Sequence, residues 1–530
     1  MKRIVSLLCI IYLLLTLFSM VPVSAAASAD ELDYEISNGE VTITAYTGDA
    51  TEVTIPDTIE GYPVTAIGEM AFYWCELESV TIPESVTYIG YSAFYGCDRL
   101  TDINIPKGVT NIEGWTFSGC NNLTSITIPE GVTYIGDGAF LSCSKLTSIN
   151  IPKGVTYIGD KAFCSCENLK NINIPEGVTS IGELTFYNCK NLTNITIPER
   201  VTYIGEDVFY SCFSLTSIDV ELNNRNYCSI DGVLFDKNKT TLIKYPEGKI
   251  DTSYFIPDGV ISIGYRAFSW CVNLTSITIP EGVTYIGDYA FCDCGNLTSI
   301  NIPEGVTSIG NGAFLRCESL KSITLPDSVV VIGDEAFYDC GNLTRINIPK
   351  GVTSIGDSVF SDCGSLIGIT IPEGVTSIGE CAFSGCNSLT NIIIPEGVAF
   401  IGDWAFNRCK HLSSITIPKS VAFIGHEAFN DCENLTIYGY PGSYTKTYAI
   451  ENKINFEVVD SNNNPVNSYQ LGDVNCDGSL NVRDATAIQK HIADISILSD
   501  EGLAVADYNS DNSVNVKDAT AIQKFIAGII

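Results

Sequence analysis

The sequence predicts a solenoid of stacked, short-stranded coils followed by a small helical module. Three observations carry that prediction. A 23-residue unit recurs through most of the 530-residue chain, its Ile-Pro step returning at a fixed interval. A polar stretch, SNNNPVNSYQ, then breaks the pattern. Beyond it, two near-copies of one Asp- and Asn-rich loop each run into the same helical sequence, DATAIQK.

Taken in order, Lys2 and Arg3 precede an apolar run from Ile4 to Met20, and small residues follow from Ser24 to Ala29. This is the pattern of a signal peptide over 1–29, with cleavage choices near Ala27 and Ala29. The run is short for a membrane span, and no later stretch approaches the roughly 20 apolar residues a span requires. A secreted, extracellular chain with no membrane span in its mature form is expected.

The repeated unit reads IP-E/K-G-V-T-x-I-G-D-x-A-F-x-x-C-x-x-L-T-S-I-T. Its Ile-Pro step stands at Ile105-Pro106 and every 23 residues to Ile197-Pro198, then resumes from Ile256-Pro257 to Ile417-Pro418. Leu123, Ile126 and Ile128 alternate inward from a short strand. The Pro that follows ends the strand, since it cannot donate to a ladder. Gly131 is expected to allow a turn with positive φ. Ile135, Ala139 and Phe140 then fill the interior from the opposite wall. One coil cannot bury its own apolar face; a stack buries it continuously. Between Ser217 and Phe255 the register breaks, and the segments Ile230 to Phe235 and Thr241 to Tyr245 around DKNK predict a hairpin inserted near 220–255.

These motifs resemble a bacterial leucine-rich-repeat protein of the BspA-like class, whose unit carries the same IP, IG, AF, C and L positions. The resemblance extends over about 30–459, with YEISNGEVTITAYTG and LTIYGYPGSYTKTYAIENKINFEVV similar to the family's terminal caps. It implies a leucine-rich-repeat solenoid over 30–460, with a short parallel β-sheet and a mixed α/β and irregular outer face. A linker over 461–467 follows.

Outward strand positions are mostly hydroxyl and amide residues: Ser125 and Thr127, Ser148 and Asn150, Asn171 and Asn173, Ser276 and Thr278. Such ladders favour cross-strand stabilisation over recognition. Tyr88, Tyr134, Tyr157, Tyr203 and Tyr285, with Asp137, Asp160, Asp288 and Asp334, mark a strip off that sheet open to a polysaccharide or a cell-surface protein. Partly buried rings with solvated hydroxyls are the plainer reading. Fifteen of the 21 cysteines hold one repeat position, from Cys75 to Cys212 and from Cys271 to Cys432. A column of like residues needs no bridges, so reduced, buried thiols are expected, and with them an anoxic habitat. The CxC pairs Cys164/Cys166 and Cys292/Cys294 are too isolated for a zinc site. His411, His426 and His491 belong to no nucleophile or metal motif. Residues unique to the interruption, Asp231, Asp236 and Tyr245, are the one place to look for catalysis; no enzyme is the expectation.

The last segment carries the most specific chemistry. Asp473, Asn475, Asp477 and Asp484 stand at positions 1, 3, 5 and 12 of one loop, with the Ser479 carbonyl at position 7 and Asn481 at position 9. Asp507, Asn509, Asp511, Ser513, Asn515 and Asp518 repeat that set. Hard oxygens at this spacing are a calcium loop, so two calcium ions are expected. Gly478 supplies the sharp turn in the first loop, and Asn512 replaces it in the second.

Two such loop–helix copies resemble the dockerin module of anaerobic polysaccharide-degrading bacteria, here over 468–530, with Asp rather than Glu at position 12. The resemblance implies a small α-helical, two-loop calcium-binding fold that docks onto a cohesin domain of a scaffoldin. It assigns the cohesin contacts to Val482, Arg483, Gln489 and Lys490, and to Val516, Lys517, Gln523 and Lys524. The best-known dockerins carry Ser-Thr at the first two positions, so Val-Arg and Val-Lys point to a partner outside the best-known class. Two matching faces imply docking in either of two orientations.

With 62 acidic against 29 basic residues, a net charge of −33 opposes nucleic-acid binding. The expected function is an exported, non-catalytic repeat protein for binding or adhesion, attached by its dockerin to a cellulosome-like scaffold. An accessory polysaccharide-binding component is the alternative, and a glycoside hydrolase the third reading.

Overall fold

The computed structural model describes residues 31–440, 442–459, 471–475, 479–498, 502–503 and 505–529. The predicted signal peptide, the linker, Asp477 and Gly478 lie outside them. The chain forms two compact units, Met1–Lys237 with Pro246–Gly248, and Asn238–Tyr245 with Lys249–Ile530.

The first unit begins with strands Leu32–Ser37 and Glu40–Tyr46, paired antiparallel around Asn38 and Gly39, both at positive φ. Glu40–Tyr46 pairs parallel with Tyr62–Ile67, which starts the stack. Most following coils contribute two very short strands. One series pairs Asn111–Ile112, Tyr134–Ile135, Tyr157–Ile158, Ser180–Ile181 and Tyr203–Ile204 in parallel. The other pairs Ser148–Ile149 with Asn171–Ile172, and Asn194–Ile197 with Ser217–Val220. In both series the Ile faces the core. The wall expected to be filled by Ile135 is thus itself a second parallel sheet. The tyrosines expected off the sheet lie on it, at the outward position of each dipeptide.

A phenylalanine column runs through the interior. Phe72, Phe94, Phe117, Phe140, Phe163, Phe186 and Phe209 stack at centroid distances of 5.0 to 6.1 Å. Beside it run the cysteines. The Sγ of Cys97, Cys120, Cys143, Cys166, Cys189 and Cys212 each donates to the carbonyl of a Phe one coil earlier, at 3.0 to 3.4 Å. The column consists of thiols, and each satisfies a backbone acceptor inside the core.

The glycines work differently from expectation. Gly131 does not take a positive φ, whereas its equivalent Gly259 does, at 92°. Its neighbour Gly136 is a close-approach position, where an added Cβ would fall 2.6 Å from the Gly114 nitrogen. The left-handed residues come in pairs four apart at the coil's corners, as at Trp115 and Gly119, Lys161 and Ser165, or Leu184 and Asn188. In the inserted segment Tyr227–Ile230 pairs antiparallel with Val233–Asp236 across Asp231 and Gly232, both at positive φ, and the Asp of DKNK ends the second strand.

In the second unit Tyr245 occupies the phenylalanine position, stacked on Phe268 at 5.3 Å, and the column continues to Phe429. The thiol ladder runs from Cys294 to Cys432 at 3.0 to 3.2 Å. Helix α1 (Tyr444–Glu451), capped by Ser443, and strand Asn455–Val458, parallel to Thr436–Gly439, follow the last coil. Beyond the linker, α2 (Val482–Ile492) and α3 (Val516–Ile526) share a core of Val474, Ala485, Ile488, Leu498, Val505, Ala506, Ala519 and Ile522. No helix among the described residues is long and apolar enough to cross a membrane.

Candidate calcium centres and docking faces

Both helices start the same way. Asn481 accepts from the Arg483 N–H at 2.9 Å, while the Asp484 carboxylate accepts from the Asn481 N–H at 2.8 Å. Asn515 and Asp518 repeat these bonds at the same distances. This reciprocal cap stops the loop and nucleates the helix. It also draws the position-12 carboxylate inside: Asp484 and Asp518 have no exposed surface, nor has Asp473. Asp484 further accepts from the Asn475 N–H and amide, and Asp518 from the Asn509 N–H.

In the second loop, carboxylate oxygens of Asp507, Asp511 and Asp518 lie within 4.8 Å of one another. Asp507 accepts from the Asp511 and Asn512 N–H groups, with Asn512 at φ 64° in place of glycine. Asn509 accepts from the Asp511 N–H. The Ser513 hydroxyl holds the Asp511 carboxyl below the usual carboxylate range. Three converging carboxylates, one wholly buried, fit a hard dication, which would neutralise charges otherwise costly to bury. Asn481 and Asn515 spend their side-chain oxygens on the helix caps, and their amides donate to the Ser479 and Ser513 carbonyls. Among the first-loop residues, Asp477 lies outside the described set.

Val482, Arg483, Gln489 and Lys490 are all exposed, as are Val516, Lys517, Gln523 and Lys524. Seven residues separate the two members of each face, two helical turns, so they lie along one side. Val482 and Val516 are both 59% exposed, and the apolar residues Ala485 and Ile488 point the other way, into the core.

The tyrosine and carboxylate strip has an architectural role. Asp137 accepts the Asp160 N–H and Asp160 the Glu183 N–H; Asp334, Asp357 and Asp403 do the same for the next coil. Tyr134 and Tyr157 stack at 5.0 Å and 3°, covering each other's faces. The hydroxyls of Thr147, Thr193 and Thr216 donate to the carbonyls one coil back. The residues of the interruption are likewise accounted for: Asp231 makes the hairpin turn, Asp236 ends its second strand, and Tyr245 is a buried rung whose hydroxyl donates to Asp251 at 3.2 Å. Cys292 donates to Asp293 and Cys164 lies against Ser165, while Cys166 and Cys294 belong to the column.

Sequence reasoning passed over one cluster, the rings of Tyr73, Trp74, Tyr95 and Trp115. Its members stand at variable repeat positions, so the consensus hides them.

A family model described as a BspA type leucine rich repeat region (6 copies) matches residues 45–169, 134–255, 251–367 and 353–469. A dockerin type I domain model matches 471–527. A leucine rich cell surface protein from Faecalibacterium prausnitzii is 32% identical, with 80% of this chain and 97% of that one covered and a TM-score of 0.47. A leucine-rich repeat protein from Eubacterium ventriosum is 29% identical over 76% of this chain and 93% of that one, TM-score 0.50. Another from Bacteroides ovatus is 29% identical over 82% and 100%, TM-score 0.46. No curated protein matches the chain. The chain belongs to the BspA-type leucine-rich-repeat family, and a type I dockerin domain follows its repeats.

Proposed function

We propose that this is an exported, non-catalytic repeat protein for binding or adhesion, held by its dockerin on a cohesin-bearing scaffold of an extracellular, cellulosome-like polysaccharide-degrading complex. The observation that carries the reading is the duplicated loop–helix, in which a buried carboxylate caps each helix directly beneath an exposed Val-Arg or Val-Lys pair. Two calcium ions, one per loop, hold the module folded, and the exposed pairs meet the cohesin. The test is retention of the full chain on an array of cohesin domains. Calcium-dependent retention, reversed by EDTA and restored by added calcium, supports attachment. No retention on any cohesin in saturating calcium would sink it. Calorimetry should give two ions per chain; a single ion would remove the two-loop assignment.

An accessory polysaccharide-binding role is the second reading, and exposed aromatic rings on the first unit favour it. The hydrolase reading rested on Asp231, Asp236 and Tyr245, which are used in a turn, a strand end and a core column.

A further inference from the structure

All four tryptophans of the chain, Trp74, Trp115, Trp270 and Trp404, stand at left-handed corners, with φ between 52° and 61°. Other left-handed corners hold Gly96, Gly119 and Gly138, but also Met70, Lys161, Leu184 and Tyr289. The coil geometry sets that conformation whatever the residue, so what distinguishes the tryptophan corners is the ring each displays.

Trp74, exposed, and Trp115, half-buried, belong to one aromatic cluster. Tyr95 lies between them, 6.0 Å from the Trp74 ring and 6.3 Å from the Trp115 ring, and Tyr73 stacks on Tyr95 at 5.1 Å. Each indole is seated on a glycine of a following coil: an added Cβ would come within 2.6 Å of Trp74 at Gly96 and 2.9 Å of Trp115 at Gly138. One ring face therefore rests on backbone. Trp74 nonetheless leaves 61% of its surface exposed and Tyr73 45%. The paired Tyr134 and Tyr157 rings, by contrast, cover one face of each other.

We propose that Trp74, Trp115, Tyr73 and Tyr95 form a binding platform for a neutral polysaccharide chain. Pyranose rings carry apolar C–H faces that cover an aromatic face and hydroxyls that reach the surrounding polar groups. Carboxylates flank these rings in the sequence, Glu76 beside Trp74 and Glu113 beside Trp115, and Glu76 already pairs with Arg99 at 3.4 Å. Sugar hydroxyls satisfy such acceptors, whereas an aliphatic protein face would strip their water and return nothing. The same acidic rim, on a chain of net charge −33, repels an anionic glycan.

The test is affinity electrophoresis of the full chain through gels holding hydroxyethyl cellulose, xylan or mannan, with polygalacturonate as the anionic contrast. Retardation by at least one neutral polymer, unaffected by EDTA and absent with polygalacturonate, is expected. The double variant Trp74→Gly, Trp115→Gly should lower affinity at least about tenfold, and Trp270→Gly should leave it unchanged. Glycine suits the left-handed corner, so loss of binding with an unchanged melting temperature isolates the rings from the fold. In the wild-type chain, bound polymer should also shield Trp74 from N-bromosuccinimide while Trp270 is oxidised. Absence of neutral-polymer binding, equal binding by the double variant, or no shielding overturns the proposal.

Discussion

The Sγ of Cys143 donates to the carbonyl of Phe117, 3.1 Å away and 26 residues earlier. A thiol in that place fills the volume of a small apolar side chain while giving a second donor to a carbonyl that already accepts the Cys120 N–H at 3.2 Å. Repeated coil after coil, the contact couples the cysteine column to the phenylalanine column.

Burial pushes the thiols of Cys97, Cys143 and Cys340 up to about 12. The unfolded thiol titrates near about 8.5, so above that pH the unfolded chain loses protons that the folded chain keeps. The contribution of these groups to stability is complete below about pH 8.5 and falls as pH rises towards 12. Denaturant midpoints should hold between pH 7 and 8 and decline above 9. Iodoacetamide at pH 8 should label the column only after unfolding, as read by mass spectrometry.

Two glycines of one coil should respond oppositely to alanine. At Gly131 the nearest atom to an added Cβ is the Lys107 carbonyl oxygen at 3.5 Å, so Gly131→Ala should stabilise by about 0.4–1 kcal/mol through the unfolded chain. At Gly136 the same atom meets the Gly114 nitrogen at 2.6 Å. Gly136→Ala should destabilise by about 1–3 kcal/mol. Urea denaturation of the two variants side by side measures the contrast.

Asp518 has two separable tasks, capping and charge. Asp518→Ala leaves the Asn509 and Asn515 N–H groups without their carboxylate and should cost about 1–3 kcal/mol with or without calcium. Asp518→Asn keeps an acceptor oxygen and should forfeit the gain from calcium more than the calcium-free stability. Hydrogen exchange over Val516–Ile526, with and without EDTA, distinguishes the two; equal calcium protection in Asp518→Asn and wild type would show that this carboxylate is no ligand.

If either face can dock, removing one of two equivalent orientations halves the association constant. Arg483→Glu with Lys490→Glu should weaken cohesin binding only about twofold, and adding Lys517→Glu with Lys524→Glu should weaken it by more than about a hundredfold. Calorimetry on the full chain reads both steps. A hundredfold loss from the first pair alone would mean a single docking mode.

Much of the coil was legible because its apolar positions obey one period: Leu, Ile, Phe and Cys at their consensus places are the buried residues. The second sheet was not, because a strand of two residues, such as Tyr134–Ile135, is too short to show alternation. The left-handed corners were hidden for another reason. The fold imposes their φ through inter-coil hydrogen bonds, so Leu184 and Trp115 occupy them without any Asn or Gly to announce the turn. Gly131 misled by the converse logic, a glycine with no need of its freedom. In the end module the repeated DATAIQK announced both helices. The burial of Asp484 and Asp518 required the fold, since it follows from the cap bond and the core beneath it.

The carboxylate ladder also has a direction. Asp137 serves the N–H of Asp160, and Asp160 that of Glu183, so each coil accepts from the one after it. Excising one whole 23-residue coil brings together an acceptor and a donor of the same kind as those that were parted. The array can therefore be lengthened or shortened in whole turns without redesigning a contact, which makes its length an adjustable quantity for selection while both ends keep their own chemistry.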